Sequence, residues 1–127
     1  MNETYTDTIS QTTREIIRRF NDAFLQHDPA ILPELVAADC VIEDTRGTPN
    51  GGRLLGREAC LNRWQPLAEN RETQFELEET FVAGERAIIR WRFRWAKGEN
   101  ESVRGVNLMR VRDGQIVEAM GYVKSND

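Results

Sequence analysis

Apolar residues recur at helical spacing in the first third of this chain and at a spacing of two in its second half. Ile16, Ile17, Phe20, Ala23 and Phe24 fall on one helical face, with Arg14, Arg18, Asn21 and Asp22 mostly elsewhere. Thr12 followed three residues later by Glu15 is a capping-box pattern. The spacing therefore predicts an amphipathic helix ending near Gln26, behind a loose arm over residues 1–10. Asp28-Pro29 supplies an N-cap and a first-turn proline for a second, shorter helix. Its apolar side is Leu32, Leu35 and Val36, and it runs out near Ala38. His27, in the corner between the helices, reads as an exposed turn residue.

Next comes a short strand in which Cys40, Ile42 and Asp44 share one face and Val41 and Glu43 the other. If the first face is the core, Asp44 is a carboxylate at the mouth of an apolar interior. Thr45 to Gly56 holds four glycines and one proline, a density that marks a loop. A helix from about Arg57 has Cys60, Leu61 and Trp64 on its apolar side, and Pro66 should kink or end it.

From Thr73 the period is two. Phe75, Leu77 and Phe81 alternate with Glu76 and Glu78, and Gly84-Glu85 makes a tight turn. Ala87, Ile89, Trp91, Phe93 and Trp95 then alternate with Arg90, Arg92 and Arg94. A loop over residues 97–100 leads to a strand Val103–Arg112, Asp113-Gly114 is a strong hairpin turn, and Gln115–Val123 is the last strand. Four consecutive strands with hairpin-length links form an antiparallel meander. Helices first and strands after indicate a single α+β domain with helices on one sheet face.

The two faces of that sheet differ. Glu76 and Glu78 should lie beside the arginine row, which favours a structural surface over an anion site. Val106, Leu108, Met120 and Tyr122 fall on the same outer face, and that apolar content suggests a homodimer contact. On the inner face Asn107 interrupts an apolar set, while Gly105, Ala119 and Gly121 leave space walled by Trp91, Phe93 and Trp95. An apolar recess with few polar groups is the usual form of a small-molecule site. A buried amide without a partner costs about 1–3 kcal/mol, so Asn107 should bond a neighbour, a water or a ligand. Asp44 has two readings: a loop cap accepting N–H bonds from Arg46 or Gly47, or a partly desolvated carboxylate with a raised pKa, suited to moving protons.

Composition narrows the classes. With 127 residues, 39% hydrophobic and 30% charged, the chain suits one globular domain. A net charge of −4 argues against nucleic acid or an anionic membrane as partner. No apolar run is long enough to span a bilayer, and the polar N-terminus indicates no export, so the expected location is cytoplasmic. There, Cys40 and Cys60 read as two buried free thiols rather than a disulfide. No metal or cofactor is implied, since the chain has one histidine and neither metal-ligand spacing nor a phosphate-binding loop.

The phrases RRFNDAFLQHDPAILPELVAADCVIEDTRGTP, LLGREACLNRW and VRGVNLMRVRDGQIVEAMGYVK resemble the SnoaL-like branch of the nuclear transport factor two-like superfamily, which also holds the steroid Δ-isomerases. The resemblance covers residues 11–127 and implies a cone-shaped, cystatin-like fold, with a curved antiparallel sheet closed by three helices around a pocket. Asp44 in EDTRG matches the isomerase base in its EDPxG phrase. The isomerase oxyanion donors, a first-helix tyrosine and a fourth-strand aspartic acid, correspond to Phe20 and Asn107, and a third-helix tyrosine to Trp64. Losing one such donor typically costs about 10²–10³ in rate, which makes an efficient steroid isomerase a poor fit. Polyketide-cyclase relatives use a late-strand aspartate, where this chain offers Asn107 and an outward Glu118. An epoxide-hydrolase variant needs an inward Asp–Arg–Asp set, and the strand arginines here all face out.

The resulting expectation is a cofactor-free enzyme. Asp44 is its general base, Asn107 orients or polarises a carbonyl, and Phe20, Trp64, Trp91 and Val123 shape a pocket for a small apolar organic ligand. The alternative is a non-catalytic ligand-binding domain of the same fold.

Overall fold

A computed structural model describes residues 7–44, 52–98 and 100–124. The first helix, α1, spans Thr8–Leu25. It starts before the Thr12–Glu15 pattern because Asp7 caps it, one carboxylate oxygen accepting from the Ile9 N–H at 3.0 Å and the other from the Ser10 hydroxyl at 2.7 Å. The expected arm therefore shrinks, and residues 1–6 lie outside the described residues. Thr12 and Thr13 become helix-interior positions, and Thr13 is buried, its hydroxyl donating to the Gly84 carbonyl at 2.7 Å. Ser10 accepts from the Gly84 N–H at 2.8 Å, so one face of α1 grips the first hairpin turn of the sheet. The apolar set Ile16, Ile17, Phe20, Ala23 and Phe24 is buried as the spacing predicts.

Asp28 caps a 3₁₀ turn, Pro29–Ile31, that leads into a single helical turn, α2, over Leu32–Leu35. The chain turns to strand at Val36, earlier than expected, giving β1 over Val36–Glu43. A short strand, β2 (Arg53–Leu55), emerges from the glycine-rich stretch and pairs antiparallel with β1. The third helix, α3, covers Arg57–Glu69 and runs past Pro66 instead of ending there, burying Cys60, Trp64 and Ala68. His27 is also not a simple exposed turn residue. At φ 55° it places Nδ1 3.1 Å from the Ala68 carbonyl and Nε2 3.0 Å from Gln74 Oε1, tying the end of α1 to α3 and the sheet.

Four strands follow, β3 (Gln74–Ala83), β4 (Arg86–Arg94), β5 (Ser102–Arg112) and β6 (Gln115–Val123). They form the expected antiparallel meander, but the sheet as a whole is mixed because β6 runs parallel to β1. Strand order is β2-β1-β6-β5-β4-β3, and the sheet curls around the helices without closing. Asp113 (φ 53°) and Gly114 (φ 76°) both sit in the left-handed region, as a two-residue hairpin turn of this twist requires.

One irregularity changes which residues are inside. The β3–β4 register shifts between Leu77 and Glu79, so the alternation reverses after the bulge. Phe75 and Leu77 pair with Phe93 and Trp91, but Phe81 pairs with Ile88 and is half exposed instead of joining the core. In register, Phe81, Ile88, Leu108 and Met120 make an apolar row across the outer face of β3 to β6. Beside it the arginine row is matched by glutamates: Arg94–Glu76 at 2.7 Å, Arg90–Glu79 at 2.8 Å and Arg104–Glu78 at 2.9 Å. Trp95 lies past the end of β4 and is 45% exposed, so it does not wall the interior. No helix among the described residues is long and apolar enough to cross a membrane.

The bulge predicts a contrast between two phenylalanines of one strand. Phe75→Ala should cost about 3–5 kcal/mol in urea unfolding, and Phe81→Ala less than about 1 kcal/mol for the monomer. Equal losses would mean that the alternation continues unbroken through β3.

Candidate functional site

Between α1, α3 and the concave face of the sheet lies a cavity of about 380 Å³. Its walls are a chain of aromatic contacts. Phe20 meets Trp64 edge-on at 4.9 Å, Phe24 meets Phe75 at 5.6 Å, and Phe75 meets Trp91 at 5.7 Å. Helical spacing on α1 and α3 and strand alternation on β3 and β4 supply these rings, so the lining follows from periodicity. Asp44, Asn107, Phe20, Trp64, Trp91 and Val123, the residues singled out from the sequence, all line this one cavity.

The small residues of β5 and β6 behave differently from one another. Ala119 and Gly121 border the cavity. Gly105 does not, because its space is already occupied. A Cβ there would lie 2.5 Å from the Trp91 ring and 2.5 Å from the Tyr122 carbonyl oxygen. Gly105 is thus the seat of the Trp91 indole, which lies across it from the paired position on β4.

That seat orients Asn107. The Trp91 Nε1–H donates to Asn107 Oδ1 at 3.1 Å. An indole N–H can only donate, so the amide must turn its oxygen to Trp91 and keep its NH₂ as the group available to the cavity. A structural hydrogen bond and a ligand contact are therefore compatible at Asn107, since each uses a different end of one amide.

Asp44 follows the last residue of β1, with a side chain only 5% exposed. Its backbone N–H donates to the Gly52 carbonyl at 3.4 Å across the base of the loop. Gly52 has φ 58°, and a Cβ on it would sit 3.2 Å from the Asp44 Cβ, so the carboxylate rests on a position that glycine suits. Arg46 and Gly47, the expected cap donors, lie outside the described residues.

The partner that sequence reasoning missed is Arg63 on α3. Its Nε lies 2.9 Å from Asp44 Oδ2 and its Nη2 3.2 Å from Oδ1, a two-point fork. Arg63 also lines the cavity. The contact sets a guanidinium directly against a nearly buried carboxylate. Arg63 stands three residues beyond Cys60 and one before Trp64, at the edge of the buried face of α3. That spacing was the available signal, but it does not say whether the long side chain turns in or out. The strand arginines do face out, and the inward arginine comes from a helix.

Cys40 on β1 and Cys60 on α3 are fully buried free thiols. Burial, more than any other cause, pushes both thiols above the usual cysteine range, so they stay protonated and unreactive. Among the described residues no cluster of His, Cys, Asp or Glu could hold a metal ion.

Comparison with known proteins matches residues 17–119 to a SnoaL-like domain, and the chain belongs to that family. A nuclear transport factor two-like protein of unknown function from Mesorhizobium loti is 60% identical, with a TM-score of 0.88 over 95% of this chain and 98% of that one. A candidate polyketide cyclase from Sinorhizobium meliloti is 25% identical, with a TM-score of 0.68 over 84% of this chain and 93% of that one. A steroid delta-isomerase from Pseudomonas aeruginosa is 13% identical, with a TM-score of 0.74 over 95% of this chain and 85% of that one, a likeness of fold alone. No curated protein matches the chain.

Replacing Gly105 tests the Trp91 seat. Gly105→Ala should destabilise the fold by about 1–3 kcal/mol in urea unfolding and change the native tryptophan fluorescence as Trp91 is pushed off. An Ala variant with wild-type stability and spectrum would show that the indole does not depend on the glycine.

Proposed function

We propose that the protein is a cofactor-free enzyme in which Asp44 is the general base toward a small, largely apolar substrate carrying a carbonyl-type acceptor. The observation that carries this reading is a nearly buried carboxylate lining an aromatic cavity that the Asn107 amide also lines. Asp44 would take a proton from a carbon acid or from an activated water, and the Asn107 amide would bond the oxygen on which charge develops. Phe20, Trp64, Trp91 and Val123 shape the space around the substrate. Steroid isomerisation is not the proposed reaction, because Phe20 offers no hydroxyl and an amide is a weaker donor than a carboxylic acid. The cavity volume falls within the usual range for sites that hold small organic molecules.

A second reading, a binding domain without turnover, draws on the Arg63 pair, which compensates the charge of Asp44 within the protein itself. The two separate experimentally. A compound that raises the melting temperature and survives long incubation unchanged supports binding alone. For a compound that is converted, Asp44→Asn should lower turnover by about 10²–10⁴. Turnover within a few-fold of wild type would remove Asp44 from the mechanism.

The same proposal includes a homodimer through the outer sheet face, where the row Phe81, Ile88, Leu108 and Met120 is continuous across four strands. Free buried thiols fit a reducing compartment and hence a cytoplasmic location. Sedimentation should give a dimer for the wild type and a folded monomer for Ile88→Glu combined with Leu108→Glu. A wild-type monomer at high concentration would end the dimer proposal.

A further inference from the structure

The Asp44–Arg63 pair differs from the other ion pairs among the described residues. Most of those lie on the outer sheet face or on exposed helix surface, with both side chains substantially solvated, and such pairs contribute little. In this pair the carboxylate is 5% exposed and the guanidinium 33%, at the edge of an apolar cavity. The contact uses Nε and Nη2 together, so it fixes the plane of the carboxylate as well as its charge.

We infer that Arg63 is a positioning residue: it aims the Asp44 carboxylate and holds it ionised at the mouth of the cavity. The inference rests on the reading of Asp44 as the base, and it adds what keeps that base in its working form. Buried in apolar surroundings and unpaired, a carboxylate takes up a proton and can no longer accept one. Paired with a guanidinium, it stays charged.

The other charged groups around the cavity do not replace Arg63. Glu43, next to Asp44 in sequence, is bound to Arg53 of β2. Glu76 of β3 is bound to Arg94 of β4 at 2.7 Å. Both glutamates would oppose a second negative charge, and their arginines are already engaged. The cavity lining supplied by α1, β5 and β6 is uncharged. Among the described residues the cation set against Asp44 is therefore Arg63.

Titration of the Asp44 carboxyl carbon by NMR, assigned with Asp44→Asn, tests this without a substrate. In Arg63→Met the midpoint should rise by about 1–3 pH units relative to wild type. Arg63→Lys, which keeps the charge and loses the fork, should fall between the two. Midpoints in both variants within about 0.3 pH unit of wild type would overturn the inference, because that is below the scatter a neighbouring charge produces. Where Arg63→Met does not fold, the Lys variant alone decides by the same criterion. A midpoint that moves as expected while Asp44→Asn leaves turnover untouched would retain the positioning role and remove the base, so the two readings fail separately.

Discussion

The close approach of the Trp91 indole to the backbone at Gly105 is the contact on which the concave face depends. Any side chain at Gly105 would meet the ring and the Tyr122 carbonyl at 2.5 Å, well inside contact distance. With glycine there, the Trp91 ring can lie against the backbone of β5. That ring meets Phe75 in a T-shaped contact, and Phe75 continues to Phe24 and the α1 wall. Its N–H takes the oxygen of Asn107 and so determines which end of the amide is left for the cavity. A packing requirement at one glycine thereby sets the polarity of a residue two positions along the same strand.

Asp44 is held by a different logic. Where Asn107 is oriented by a neutral donor from the sheet, Asp44 is oriented by a cation from a helix. Asn107 and Asp44 are thus opposite in kind, one presenting donors and the other acceptors, and each is held by a partner from another element. Buried polar groups held in this way lose little freedom when a ligand arrives, which is the condition for orienting a reacting molecule.

The outer face follows from the same sheet by ordinary alternation, with one interruption. The bulge after Leu77 adds Phe81 to the outward row and turns Thr80 inward, where its hydroxyl is buried with no partner among the described residues. A larger apolar outer surface and an unpaired hydroxyl inside are both consequences of one extra residue in the ladder.

The amino-acid sequence by itself determined the amphipathic faces of α1 and α3, the meander with its turns, and many of the apolar residues that line the cavity. Each of these follows from a local period or a local turn preference, which a linear reading can count. It also placed a carboxylate at the end of β1. What it did not determine was the parallel pairing of β1 with β6, because that contact joins strands separated by most of the chain. Nor did it determine the bulge in β3, since an extra residue leaves no mark in a stretch of consecutive glutamates. Local spacing puts His27 in an exposed turn and leaves the direction of Arg63 open, although each reaches a partner in another element. A long side chain at the edge of a buried helical face can turn either way. The direction of Arg63 was decided by where the sheet brought Asp44, and only the tertiary structure carries that information.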